Sequence, residues 1–347
     1  MAGVHVLRAA MLSIAVALLL AACTPAPEAE RHAFFALGTL IEISVYAPPG
    51  DVDVALRAAE TALLAEEHRW RAFGNGELAD INRELAAGHA VAINTPVLEG
   101  IRRAQAITAR SGGLFNPAIG ELVRAWGFHA EERAAVPPPG HDVLARLLPA
   151  PSADALQLQN DGRWKSGDPR LWLDMGAFAK GLAVEHAVEI LRAHGVKNAI
   201  VNAGGDLKAI GTHGTRPWRV GVRDPRGAGV LAALEVGDDE SVFTSGDYER
   251  FFEWQGQRYH HILDPATGQP ARGAVSVTVI HSDAALSDAA ATALFVAGPD
   301  AWRAVADNLG IDKVMMVLED GTIQLTAEMR TRVDLEKPAP QVTVVSP

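Results

Sequence analysis

The sequence predicts an α+β fold, and three observations lead there. Helical periodicity is concentrated in two regions, 51–111 and 288–308, at either end of the chain. Between them, residues 172–281 are dense in short alternating runs bounded by Gly, Asp and Ser. The steady strand–helix alternation of a parallel α/β sheet is missing. The chain has 347 residues, of which 48% are hydrophobic. That is enough apolar material for a large core, and it excludes disorder, a collagen-like repeat and a multi-span membrane protein. No fixed-period repeat is visible.

The elements follow in order. Met1 to Ala22 carries one formal charge, Arg8, and then an apolar run from Met11 to Ala22. The run is too short to span a bilayer comfortably and reads as a secretory signal. The only cysteine, Cys23, follows it, so no intramolecular disulfide and no Cys-based zinc site can form. Leu20-Ala21-Ala22-Cys23 resembles the lipobox of bacterial lipoproteins, which implies cleavage before Cys23 and acylation of its thiol. A plain signal peptide with an incidental Cys is the alternative. Residues 23–33, rich in Pro, Ala and Glu, read as a tether. The expected location is the periplasmic side of a bacterial membrane, lipid-anchored, with the inner membrane favoured.

Phe34 to Tyr46 alternates around Gly38-Thr39 and reads as a first strand. Asp51 to Arg71 reads as a helix capped by Asp51 or Asp53, and Pro96 to Ser111 as a second one ended by Gly112-Gly113. Glu131 to Pro151, with Pro137-Pro138-Pro139, is the best candidate for a surface insertion. From Trp172 the pattern is strand, Gly turn, helix (Phe178 to His194) and strand (Asn198 to Asn202). Trp218 to Val222, Leu231 to Val236, Ser241 to Ser245 and Val275 to His281 read as strands. Asp288 to Val296 and Ala301 to Asn308 read as two helices, and Lys313 to Leu318 as a late strand.

The formal net charge of −11 argues against a nucleic-acid binder, though a local cradle for one phosphate group is compatible with it. The sequence lacks a G-x-G-x-x-G after a strand, a Walker-type loop, a Gly-x-Ser-x-Gly elbow and a His-Glu-x-x-His pair. Four other stretches carry chemistry. In Asp174-Met175-Gly176-Ala177-Phe178-Ala179-Lys180-Gly181 an acid ends a strand and a helix opens at once. Free N–H groups and Lys180 there suit a phosphate, although an ordinary connection with Asp174 as cap has the same sequence. Asp288 and Thr292, four apart, share a helical face and suit Mg²⁺, or Asp288 is simply an N-terminal helix acid. His260-His261 precedes the Asp264-Pro265-Ala266-Thr267-Gly268 turn, where a histidine can be aimed into a cleft as a base. Thr244 to Tyr248 reads as a polar turn. Around Gly113-Leu114-Phe115-Asn116-Pro117 the glycines allow close backbone approach to a ligand, and Trp70 and Phe73 offer an aromatic wall for a flat ring or belong to the core.

Taken together and in order, these segments resemble the ApbE family, the FAD:protein FMN transferases. The segments that carry the resemblance are Leu37-Gly38-Thr39, Gly113 to Pro117, Trp126-Gly127-Phe128, Asp174 to Gly181, Asn202-Ala203-Gly204-Gly205-Asp206, Thr244 to Tyr248, His261 to Gly268, Ser276 to Val279 and Asp288 to Thr292. The resemblance implies one flavin-transferase domain over 34–330 and a tail over 331–347. It implies a duplicated T-fold-like architecture, with FAD bound between two mixed α/β halves. It implies a Mg²⁺-dependent enzyme that passes FMN from FAD to a Ser or Thr hydroxyl of an exported or membrane redox-complex subunit, releasing AMP. Carried over by position, Ala177 (through its carbonyl), Asp288 and Thr292 would hold the metal. Leu37, Leu114, Phe115, Asn116, Asp174, Lys180 and Leu263 would contact FAD, and the aromatic against the flavin would be Phe73 or a neighbour. His261 would be the base for the attacking hydroxyl, and Asp288 the carboxylate essential to the chemistry. The chain departs from the family pattern at Asn116, where Asp is common, at Leu37, where Met is common, and at Ala291, where some members carry a second acidic ligand. The alternatives are a metal-dependent FAD pyrophosphatase, with water in place of the protein hydroxyl, and a flavin-binding lipoprotein without catalysis.

Overall fold

A computed structural model describes residues 29–130 and 137–346. Cys23, the signal segment and most of the tether lie outside the described residues. The chain opens with a hairpin of β1 (Glu30–Ala36) and β2 (Thr39–Val45), paired antiparallel along their whole lengths. A single strand was expected from Phe34 to Tyr46. It is folded in two because Leu37 (φ 55°) and Gly38 (φ 70°) both adopt the left-handed conformation of a two-residue turn. β1 begins inside the segment read as tether.

α1 (Asp53–Trp70) buries Ala55, Leu56, Ala59 and Leu63. Neither aspartate caps it by side chain at the N-cap position, which is Val52; Asp51 instead accepts the Asp53 N–H at 3.0 Å. α2 (Glu77–Ala86) was not read from the sequence. α3 (Thr95–Arg110) starts at Asn94, whose side chain accepts the Val97 N–H. α4 (Gly120–Ala125) and α5 (His141–Leu147) follow. The latter falls in the expected surface insertion, yet its Leu144 packs with Leu122, Trp126 and Leu263 in a small apolar cluster. β3 (Leu156–Leu158) and β4 (Trp164–Ser166) form a short ribbon.

The strand expected from Trp172 does not form. Trp172 makes a single parallel bridge to Ile119, and the Asn82 amide serves the next residue, donating to the Leu173 carbonyl and accepting the Leu173 N–H, both at 2.8 Å. A carboxamide can satisfy one residue's backbone as a neighbouring strand would.

The second half contains α6 (Ala179–Ala193), β5 (Ala199–Ala203), β6 (Asp206–Ile210), β7 (Trp218–Arg223), β8 (Val230–Val236), β9 (Ser241–Gly246), β10 (Phe251–Trp254), β11 (Gln257–His260) and β12 (Ala274–His281). It closes with α7 (Ala284–Leu309), β13 (Lys313–Leu318), β14 (Ile323–Leu325), α8 (Ala327–Arg330), β15 (Val333–Leu335) and β16 (Val342–Val344). Among the described residues the main sheet has nine strands in the order β1-β2-β5-β6-β9-β12-β13-β14-β16. A three-stranded sheet, β15-β8-β7, packs over part of it through Leu207, Trp218, Leu234 and Met315. The mixed α+β class expected from the sequence is observed. Residues 331–347, expected to be a tail, contribute β15 to the small sheet and β16 to the large one.

α7 begins one turn earlier than expected, at an Asp283 cap whose carboxylate accepts the Leu286 N–H at 2.8 Å. Asp288 therefore sits within the helix and is not its N-terminal acid. The expected division into two helices is a break at Gly298 (φ 69°, ψ −178°), followed by Pro299. No helix among the described residues is long and apolar enough to cross a membrane.

Candidate active site

A cavity of about 700 Å³ opens beside the start of α6. Its walls come from the β1–β2 turn, the Leu114–Asn116 loop, Asp174 to Lys180, the β5–β6 turn, β7, the end of β9, Tyr248 to Arg250, His261 to Leu263 and α7. Of the residues expected from the sequence, Leu37, Leu114, Phe115, Asn116, Asp174, Ala177, Lys180, His261, Leu263, Asp288 and Thr292 all line it.

Phe73 is the exception. It does not line the cavity; its ring stacks on Trp172 at 5.7 Å, with the Arg124 guanidinium 3.8 Å from the Trp172 ring. Trp70 and Arg71 reach the cavity instead. Trp70 ends α1 and Phe73 follows three residues later, and the sequence alone could not tell which ring turned inward.

Close helix contact builds the centre of the site. A Cβ on Gly181 would stand 2.3 Å from the Ala284 carbonyl oxygen, so only glycine lets α6 touch the backbone of α7 there. The contact brings the start of α6 to Asp288. The Gly181 N–H donates to Asp288 Oδ2 at 3.1 Å. Gly181 is the third residue of α6, so its N–H is one of the helix's unpaired N-terminal donors, and Asp288 satisfies it. Ala177, in the turn just before α6, lines the cavity. Thr292, one turn beyond Asp288, shares a hydrogen bond of 3.0 Å with the Ser245 hydroxyl.

Burial pushes the Asp288 carboxyl up to about 7, opposed by the Lys180 charge and reinforced by Asp206. The carboxylate thus sits in a site that undercompensates its charge. One buried carboxylate, one hydroxyl and one backbone carbonyl are hard oxygen donors that suit Mg²⁺. Among the described residues no group of three His, Cys, Asp or Glu side chains could hold a metal. A cation here would keep positions for water and phosphate oxygens.

Lys180 extends from the first turn of α6 and pairs with Asp206. Burial lowers its affinity for a proton, but the Asp206 and Asp288 carboxylates outweigh that and hold the ammonium charged. Asp174 accepts the Gly176 N–H at 2.8 Å. Burial raises its carboxyl above the usual range against that hydrogen bond and the Arg250 charge. Asn116 is committed to its own loop, donating to the Pro151 carbonyl and accepting the Ala118 N–H, both at 2.9 Å.

His261 follows β11, where its backbone N–H and ring Nδ1 both meet the Arg250 carbonyl, at 3.0 and 3.2 Å. With Nδ1 donating, Nε2 keeps the lone pair that a base needs. Burial, helped by the Arg250 and His260 charges, pushes the imidazole down to about 3. His261 is therefore neutral at any working pH. His260 lies outside the cavity, buried, its Nε2 against the Ala271 carbonyl at 2.9 Å.

Sequence reasoning assigned no role to Asp206, Tyr248 or Arg250, all of which line the cavity. Asp206 and Tyr248 lay within segments noted for their glycines, and the signal overlooked was the charged or phenolic residue beside each turn. Burial, reinforced by Glu249, raises the Tyr248 phenol to about 12. Thr244 and Ser245 belong to β9, as the strand expected over Ser241 to Ser245 requires, and the turn follows from Gly246.

Comparison with known proteins places this geometry. The profile described as "ApbE family" matches residues 37–315. A protein of Rhodobacter capsulatus named FAD:protein FMN transferase is 40% identical over 92% of this chain, which spans 62% of that relative's length. One of Treponema pallidum with the same name is 36% identical, with 86% of each chain covered. Among solved structures, the ApbE protein of Thermotoga maritima superposes with a TM-score of 0.80 at 32% identity, covering 90% of this chain and all of that one. The flavin transferase ApbE of Vibrio cholerae gives 0.77 at 26% identity, covering 88% and 99%.

Proposed function

The chain belongs to the ApbE family, and we propose that it transfers FMN from FAD to a Ser or Thr hydroxyl of a target protein, with Mg²⁺ as cofactor and AMP as the other product. The observation that carries this reading is the convergence of Ala177, Lys180, Asp288 and Thr292 on one cavity, with Asp288 seated by the Gly181 N–H. The set offers a backbone carbonyl, a buried carboxylate and a hydroxyl beside a charged lysine.

Mg²⁺, when bound, supplies neutralisation of the charge that develops on the pyrophosphate. Ala177, Asp288 and Thr292 are the residues that would hold it. Lys180 and the N–H groups opening α6 meet the phosphates. Leu37, Leu114, Phe115 and Leu263 give FAD apolar contacts, and Asp174 and Asn116 shape the wall beside them. The acceptor oxygen attacks the phosphorus on the FMN side. The P–O bond to AMP breaks, AMP leaves, and the hydroxyl proton passes to His261 Nε2. Phosphate negative charge beside His261 opposes the Arg250 contribution, while burial, the larger cause of its low basicity, stays in place.

The cavity draws its walls from both 37–180 and 203–292, in keeping with FAD lying between two related halves. We further read the protein as held at the periplasmic side of a membrane through acylated Cys23, where exported redox subunits would meet it.

The test is an intact-mass measurement of a redox-complex subunit carrying an acceptor Ser or Thr, after incubation with this protein, FAD and Mg²⁺. A gain of one FMN moiety, with AMP released in equal amount, is expected. Free FMN and AMP with an unlabelled subunit would instead establish a pyrophosphatase.

A further inference from the structure

Lys180 stands between two carboxylates, and the structure shows it choosing one. Its ammonium pairs with Asp206. Asp288, the other carboxylate in its field, receives the Gly181 backbone N–H. Asp206 is well placed to hold the lysine. It is buried, and its Oδ1 accepts the Thr244 N–H at 2.9 Å while Oδ2 takes Lys180. The chain on its N-terminal side is fixed too: Gly204 (φ 68°) fits against Thr39, where a Cβ would stand 2.2 Å from the hydroxyl oxygen.

We propose that Asp206 is a positioning residue that pins the Lys180 ammonium at the phosphate side of the cavity and keeps it off Asp288, so that the carboxylate stays available to the cation. The inference rests on the reading that Asp288 ligates Mg²⁺ and adds a role for a residue outside that ligand set. Asp288 is buried and, among the described residues, takes a backbone N–H but no cationic side chain, and such a carboxylate attracts any mobile cation nearby. Without Asp206, the nearest is the Lys180 side chain, and a divalent ion would then have to displace an internal ion pair. With Asp206, the lysine is already committed. Asp206 thus serves two partners, holding Lys180 where phosphates arrive and adding negative potential at the cation site.

The experiment uses Mn²⁺ as probe, titrated into the full chain without FAD and followed by electron paramagnetic resonance. Asp206→Asn keeps an oxygen for the Thr244 N–H and removes the charge. Its Mn²⁺ affinity is expected to fall by roughly 10–100-fold. The double variant Asp206→Asn/Lys180→Met, which removes the competitor, is expected to regain most of that affinity, a rescue that a merely structural role would not give. A crystal structure of Asp206→Asn is expected to show Lys180 Nζ on Asp288. An unchanged Mn²⁺ affinity in the single variant, or no recovery in the double variant, would overturn the proposal. A wild-type protein that binds no Mn²⁺ would overturn the metal reading itself; the position of Lys180 in the Asp206→Asn crystal then decides this inference by itself, and a lysine still off Asp288 there rejects it.

Discussion

At Asp288 a residue singled out by its spacing meets a strongly altered environment. Burial raises its carboxyl to about 7, so a proton would compete near neutrality with the proposed Mg²⁺. Metal affinity should fall with pH by about tenfold per unit below that value and level off above it, as a calorimetric Mg²⁺ titration from pH 5.5 to 8.5 would show. The linkage to stability has the opposite sense. A folded value above the ordinary 3.8 means that this group's contribution is full below 3.8 and lost as pH rises through 7. Mg²⁺ should therefore raise the melting temperature most at alkaline pH. His261→Gln should slow FMN transfer by roughly 10²–10⁴-fold while leaving the FAD dissociation constant near the wild-type value, measured by flavin fluorescence. A loss of FAD binding would assign His261 to the ligand rather than to the proton. At this scale the sequence was informative where spacing is rigid. Asp288 and Thr292, four apart on a helix, needed no knowledge of the fold to be paired. Phe73 was not legible, because which aromatic turns inward depends on the chain's exit from α1, and the Trp172–Arg124 stack that holds it is distant in sequence.

At the scale of elements, the site depends on α6 and α7 touching at Gly181. Gly181→Ala would drive a methyl group into the Ala284 carbonyl and should cost about 1–3 kcal/mol in chemical denaturation. It should weaken Mg²⁺ binding as well, since the N–H to Asp288 moves with the backbone. A variant of wild-type stability and metal affinity would show that the helix contact is not what places Asp288. α6, β5, β9, β12 and β13 were read close to their observed bounds because periodicity and flanking glycines mark them. The hairpin of β1 and β2 was not, since its turn places a leucine at positive φ, a conformation for which a sequence gives little sign. The missing strand at Trp172 has a similar cause: the Leu173 backbone is bound by the Asn82 side chain, 91 residues away, and its two neighbours by the loop at Pro117 and Gly120.

For the whole molecule, the cavity exists because one nine-stranded sheet brings residues 37 and 292 to a common wall. The α+β class was legible from the uneven distribution of periodicity, but the strand order was not, because β9 and β12 pair across an intervening ribbon and turn. The C-terminal segment shows the same limit. Val333 is buried against β8 in the small sheet, though the resemblance, ending before it, implied a tail. Ending the chain at residue 330 should therefore cost at least about 1.5–3 kcal/mol from that burial alone, read as a lower denaturation midpoint. An unchanged midpoint would return the segment to the status of a tail. The proposed sharing of this cavity by one cation and one dinucleotide is decided by a crystal structure with FAD and Mg²⁺. The ion is expected at about 2.0–2.1 Å from an Asp288 carboxylate oxygen, the Thr292 hydroxyl and the Ala177 carbonyl, with the FAD phosphates beside Lys180. A cation bound by other residues, or a flavin lying outside the cavity, would contradict the account.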